Sequence, residues 1–413
     1  MKASHLIKKT SSGIITGGAD NDPSGITTYS ITGATTGFAL AWLLLLSTPL
    51  LIVVQGMSAK IGDVKKKGLT TIIEEHFGRK VAVISMVSLI VVNTLTIGAD
   101  LSIMGSVLNS FITFIPSVVF IPVLALIIWY VVVFENYKVL SKLLLWLVVV
   151  FLAYIASGVL AKPDWGLVLS STLIPRIEFT PIYFATATAL LGTTITPYLF
   201  FWQTSEEVED HTPKSEARNK FLAVAPGFIF SNLVAYFIII STATVLFFSD
   251  SPIENFSALT AADISKAFIP IAGNGAFLLF SIGIVGGGLI ALPVLAASSS
   301  YAVAEVFGWS EGLGRKVNNA KGFYAVLTTT FFIGTAIAIL KINPVTALFY
   351  SQILAGVVAP PLLILIIIIS SSKKIMGEFV NNTLTKITAW FTVGIMTISV
   401  VLMFASMLFS DIF

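Results

Sequence analysis

The sequence predicts an all-α polytopic membrane protein with 11 transmembrane helices, built as a five-plus-five inverted repeat with one accessory helix. Three observations carry this. The 413 residues are 56% hydrophobic and only 11% charged, whereas soluble domains run at about 25% charged. Eleven segments approach the run of about 20 mostly apolar residues that crosses a bilayer. Two of those segments, the first and the sixth, are interrupted at their midpoints by proline and glycine.

In chain order the predicted spans are 9–34, 38–61, 80–108, 112–134, 137–161, 181–207, 219–248, 275–303, 322–340, 344–369 and 385–409. Helices are the only candidates for these segments, because unpaired backbone or an open sheet edge cannot face lipid. Residues 9–161 form the first repeat of five, residues 181–369 the second, and residues 385–409 the accessory helix. No segment reads as a soluble domain, and no cleavable signal peptide is expected. Absence of cysteine removes disulfides, thiolate ligands and cysteine nucleophiles together. A net charge of +3 is small, and no nucleic-acid partner is expected.

Charge placement sets the expected orientation. With the N-terminus in the cytoplasm, 20 of the 24 Lys and Arg residues fall on that side, leaving Lys162, Arg176, Lys266 and Lys341 outside. Such a bias follows the positive-inside rule and puts the C-terminus outside. The expected location is a plasma membrane of prokaryotic type.

The first break reads DNDPSG, Asp20 to Gly25, and the second GTTITP, Gly192 to Pro197. Proline removes a backbone donor and glycine lets the chain leave helical geometry. Broken segments at corresponding places in two halves point to a transporter whose substrate site lies at the breaks. Two ordinary proline kinks in a packed bundle are the plainer alternative.

The first break also carries acids. An acid at the bilayer centre costs about 2.5–3.5 kcal/mol, so it marks a site or pathway. Asp22 lies near the middle of span 1 with no Lys or Arg within the spans to neutralise it, so a cation is expected to supply the charge. Asp20 is a second candidate ligand, a ligand to the ion's waters, or a helix-end residue. Ala19 and Gly25 complete this side of the candidate metal site, and Thr193 and Thr196 face it from span 6. Any single threonine can instead bond its own helix. Asn93 and Asp100 lie two turns apart on span 3 and suit a polar path or a packing pair. Tyr198, Gln203 and Gln352 are further pathway candidates; Gln352 reads equally as an interhelical bond. The glycines at 283 and 286–288 allow close helix approach. His5, His76 and His211 all fall outside the spans, so the site offers oxygen ligands alone. Oxygen suits hard cations such as Mg²⁺ or Mn²⁺.

These residues resemble a known family. DPSG in span 1 is similar to the Asp-Pro-Gly-Asn motif of Nramp divalent-metal transporters, and LLGTTITPY in span 6 to their Gly-Ala-x-x-Met-Pro-His stretch. GADLSIMGS in span 3 and YSQILAGVVAPP in span 10 also resemble Nramp segments. The resemblance implies the inverted-repeat fold shared with amino-acid and sodium symporters, and Asp22 as metal ligand. Departures from the family pattern are equally specific. Gly25 stands at the ligand asparagine, Thr196 at the methionine, Tyr198 and Gln203 at two histidines, Asn93 and Ile103 at two glutamates, and Val358 at a glutamine, while Asp100 is retained. Loss of the soft ligand and much of the proton relay is similar to the Nramp-related magnesium transporters, in which a roomier site is thought to hold a hydrated Mg²⁺.

The reading is therefore a transporter or facilitator for a hard divalent metal, Mg²⁺ or Mn²⁺, with weak or absent proton coupling. It acts as a monomer in the lipid bilayer, without catalytic residues or cofactor. A cation-coupled amino-acid transporter of the same fold is the alternative, opposed by Asp22, which would repel a substrate carboxylate. A di-aspartate intramembrane protease built on Asp22 and Asp100 lacks that class's Gly-x-Gly-Asp and Pro-Ala-Leu motifs.

Overall fold

The computed structural model describes residue 17 and residues 20–134, 150–209, 220–249, 259–340 and 342–409. Among the described residues, nine helices are long and apolar enough to cross a membrane, and each overlays one predicted span. Two shorter helices, α1 (Pro23–Thr36) and α5 (Val150–Leu160), overlap the predicted first and fifth spans, whose remaining residues lie mostly outside the described ones. The others are α2 (Ala41–Lys65), α3 (Arg79–Phe111), α4 (Ser117–Phe134), the broken pair α6 (Pro181–Thr194) and α7 (Pro197–Glu209), α8 (Lys220–Thr242), α9 (Ala276–Phe307), α10 (Lys321–Ala338), α11 (Pro344–Ser371) and α12 (Thr383–Leu408).

Both breaks are real, and their prolines do a different job from the one sequence alone suggests. Pro23 and Pro197 do not kink a continuous helix; each is the first residue of a new one. A proline there wastes no amide, because the first-turn N–H has no intrahelical partner. α6 ends at Thr194, with Ile195 leaving helical geometry at φ −112° and ψ 58°. By contrast α11 runs unbroken through Pro360 and Pro361, the neighbouring helices and local adjustment accommodating them.

Glycine decides two close crossings. A Cβ at Gly192 would fall 2.1 Å from the Gln352 carbonyl, and one at Gly356 would fall 2.5 Å from that of Thr188. α6 and α11 therefore meet backbone to backbone, as small residues permit in lipid. A Cβ at Gly287 would fall 2.8 Å from the Asn21 carbonyl, so the glycine run of α9 seats that helix against the first break. Large apolar side chains on α4 and α12 point outward instead; Leu126, Ile127, Ile387 and Phe391 are all more than half exposed, as a lipid-facing surface requires.

Candidate metal site

The first break folds around its own aspartate. Asp22 is the N-cap of α1, with extended backbone at φ −69° and ψ 171°. Its Oδ1 accepts the Gly25 amide at 2.5 Å and the Ser24 hydroxyl at 2.7 Å. The helix N-terminus thus stabilises the carboxylate with its amides and its dipole. Asp20 turns the other way, its Oδ2 accepting the Ser231 hydroxyl of α8 at 2.7 Å, while Asn21 donates to that same hydroxyl at 3.0 Å. Asp20 Oδ1 has no hydrogen-bond partner among the described residues.

Gly25 marks the point of convergence. A Cβ built there would lie 3.0 Å from the Asp20 carbonyl, 3.2 Å from Asp22 Oδ1 and 3.3 Å from Thr193 Oγ1. Three oxygens from both breaks therefore surround the hydrogen of one glycine. Thr196 is buried within the second break, 3% exposed. Ala19 lies outside the described residues. Asp100 is fully buried on α3 and close enough to Asp22 to feel its charge. Among the described residues, neither Asp100 oxygen meets a donor at hydrogen-bonding geometry. Tyr198, at the start of α7, is buried within electrostatic reach of Asp20, Asp22 and Asp100. Among the described residues no group of three or more His, Cys, Asp or Glu side chains gathers as a metal cluster. The convergent oxygens are mainly carbonyl and hydroxyl, with Asp22 the carboxylate among them.

The pattern defining the family "Nramp: Natural resistance-associated macrophage protein-like" matches residues 13–406. The chain belongs to the Nramp family. It is 24% identical over 405 residues to the "Divalent metal cation transporter MntH" of Verminephrobacter eiseniae, covering 94% of this chain and 86% of that one. Its fold resembles a manganese transporter of Eremococcus coleocola, with TM-score 0.75 at 16% identity over 97% of this chain and 86% of that one. It also resembles MhsT solved with L-phenylalanine, at TM-score 0.61 and 14% identity over 95% and 98% of the two chains. These likenesses establish the fold.

Within this Nramp chain the remaining predicted residues have distinct settings. Asn93 Nδ2 is held on α9 by the Leu295 carbonyl at 3.0 Å and by Ser298 and Ser299 at 2.9 Å each. Gln352 Nε2 bonds Ser351 at 3.2 Å, while its carbonyl lies against Gly192. Gln203 Nε2 donates to Glu207 Oε1 at 3.2 Å, and so leads from the break toward a buried charge cluster. There Lys220 Nζ meets Asp63 Oδ2 at 3.0 Å and pairs with Glu207.

This cluster corrects one sequence expectation. The spans do contain lysines: Lys60 within α2 and Lys220 at the start of α8 are 7% and 6% exposed. Both lie near helix ends; Lys60 engages Asn381, and Lys220 engages Asp63 and Glu207. Sequence reasoning also passed over Ser24, Ser231 and Tyr29, the last fully buried and within electrostatic reach of Asp20 and Asp22. Ser24 lies two residues from Asp22 and Tyr29 one turn beyond Gly25, so helical spacing could have raised both. Nothing local singles out Ser231, 211 residues from its partner Asp20.

Proposed function

We propose that this Nramp chain moves a hard divalent metal ion across the membrane, Mg²⁺ foremost and Mn²⁺ as a second cargo. One observation carries the reading: oxygens from both breaks converge on Gly25, and threonine occupies the position where the family pattern places a thioether. Carboxylate, carbonyl and hydroxyl oxygens suit a hard cation, and Mg²⁺ usually keeps several of its waters. The missing asparagine side chain at position 25 keeps bulk out from between those oxygens. One thioether, Met104, packs at Gly288 beside the Pro23 ring, so it belongs in any test of softness.

The residues assigned to the ion are Asp22 through its carboxylate, Asp20 beside it, Ala19 before it in the sequence, and Thr193 and Thr196 from the second break. Asp20, Asp22, Thr193 and Thr196 are at most 3% exposed, so the ion enters and leaves only if helices move. Alternating access by the repeats 9–161 and 181–369, with residues 385–409 as accessory helix, supplies that motion. The positive-inside bias places the N-terminus in the cytoplasm and the C-terminus outside. Coupling to protons is weak, because no histidine lies in the spans and histidine titrates most readily near neutral pH.

Uptake into proteoliposomes with Mg²⁺, Mn²⁺, Ca²⁺ and Cd²⁺ in parallel tests the reading. Mg²⁺ should enter and Mn²⁺ compete, with little acidification by an internal pH dye. Met104→Leu should leave Cd²⁺ behaviour unchanged. Strong Cd²⁺ uptake without Mg²⁺ uptake would make this a soft-metal transporter.

A further inference from the structure

A second candidate site lies away from both breaks, where α2, α8 and α12 meet. A cavity of about 330 Å³ is lined there by Lys60, Phe221, Glu378, Phe379, Val380, Asn382 and Thr385, and Glu378 is exposed to solvent. Lys60 is 7% exposed. Its Nζ donates to Asn381 Oδ1 at 2.8 Å and sits 5.6 Å from the centroid of the Phe221 ring. No carboxylate lies within ion-pair distance of it among the described residues.

That setting is half of a charge pair. A buried ammonium costs several kcal/mol unless an opposite charge answers it, and Lys220 nearby in the fold has two carboxylates. Lys60 has three N–H donors, of which Asn381 takes one. Asn381 itself is 3% exposed, and its Nδ2 has no hydrogen-bond partner among the described residues. α12 begins at the same cavity, with Asn382 as its N-cap, so the positive end of the helix dipole adds to the ammonium. The cavity is large enough for a tetrahedral anion with several waters, at about 30 Å³ for each water. It sits at the level of helix ends, five residues from the last residue of α2 and in the first turn of α12, where lipid head groups lie.

We propose that this cavity binds a phosphate group, carried by an acidic phospholipid head group or by a soluble phosphate. Thermal unfolding of the purified full-length protein in detergent tests it with three additions. These are phosphatidylglycerol, phosphatidylcholine of the same acyl chains, and inorganic phosphate against chloride at matched ionic strength. A saturable rise in Tm with phosphatidylglycerol alone assigns a lipid; a rise with phosphate alone assigns a soluble ligand; a rise with both confirms the shared chemistry. Lys60→Gln should weaken half-saturation by about tenfold or more, the scale of one charged hydrogen bond. Asn382→Asp should do the same while keeping a side chain that caps α12, and it decides the matter if Lys60→Gln does not fold. Lys374→Gln, exposed and outside the cavity, should change nothing. No rise beyond the phosphatidylcholine and chloride controls, a rise that survives Asn382→Asp, or one lost equally in Lys374→Gln would overturn the proposal.

Discussion

Two clusters of buried charge sit at different levels of this molecule and are settled by opposite means. Where α2, α7 and α8 meet, Lys220 lies between Asp63 and Glu207, and Gln203 bonds the latter. At the breaks, Asp20, Asp22 and Asp100 are as deeply buried. Among the described residues Asp22 is answered by the Ser24 hydroxyl and the Gly25 amide and Asp20 by the Ser231 hydroxyl, while neither Asp100 oxygen has a hydrogen-bond partner. A covalently fixed cation makes the first cluster a permanent fastening. The second has oxygens and negative charge without a fixed cation among the described residues, which is the arrangement a mobile cation can complete and then leave.

The sharpest way to break this comparison is at Asp22. Asp22→Ala should abolish metal uptake in proteoliposomes while the protein remains extractable and monodisperse, because a hard ion loses its carboxylate. Uptake with unchanged apparent affinity would move the site elsewhere.

Lys220→Met tests the other half. Removing one partner leaves Asp63 and Glu207 buried without their cation, a loss of about 3–5 kcal/mol, read as a large fall in Tm. If Tm holds, the fastening is not electrostatic, and the contrast with the breaks fails.

A third test sharpens the contrast in ligand type. A side chain at position 25 enters among three oxygens already 3.0–3.3 Å away, tighter than ordinary van der Waals contact. Gly25→Asn with Thr196→Met should therefore shrink the site, strip waters from the ion and offer it sulfur. Calorimetric titration should show Cd²⁺ affinity rising by about tenfold, or about 1.4 kcal/mol, while Mg²⁺ affinity falls. Each single change should do less than the pair; equal effects would mean that space and softness are not linked here.

The smallest effect concerns Glu311, in the loop between α9 and α10. Burial, reinforced by the Glu305 and Glu209 carboxylates and opposed by Arg315, pushes its carboxyl up to about 9. A raised carboxyl contributes stability that is full below its ordinary value of 4.5 and is lost as pH rises through about 9. Glu311→Gln should therefore flatten part of the fall in Tm between pH 5 and pH 9. An unchanged profile would show that the loop does not hold the proton.

Much of the architecture was legible beforehand, for a physical reason. Lipid offers the backbone no partners, so each span must be a helix, and helix length follows from bilayer thickness; α3 and α11 lie within a few residues of their predicted bounds. The glycine run of α9 was legible as close approach, though not that its target would be the first break. The lysines were misjudged at Lys60 and Lys220, because a basic residue near a span's end reads as loop until a partner is seen to hold it inside.

What the sequence determined by itself was the membrane class, the order of spans, the two breaks and Asp22 as the acid that demands an explanation. All of these follow from local rules: hydropathy over about 20 residues, the missing proline amide, the cost of a charge in hydrocarbon. Tertiary structure alone decided which oxygens share a point with Asp22, that Ser231 holds Asp20, and which buried lysine is paired. The contacts that bring in Thr193, Ser231 and Lys220 join residues from 13 to more than 200 positions apart, and no local rule reaches across the folds of the chain that bring them together.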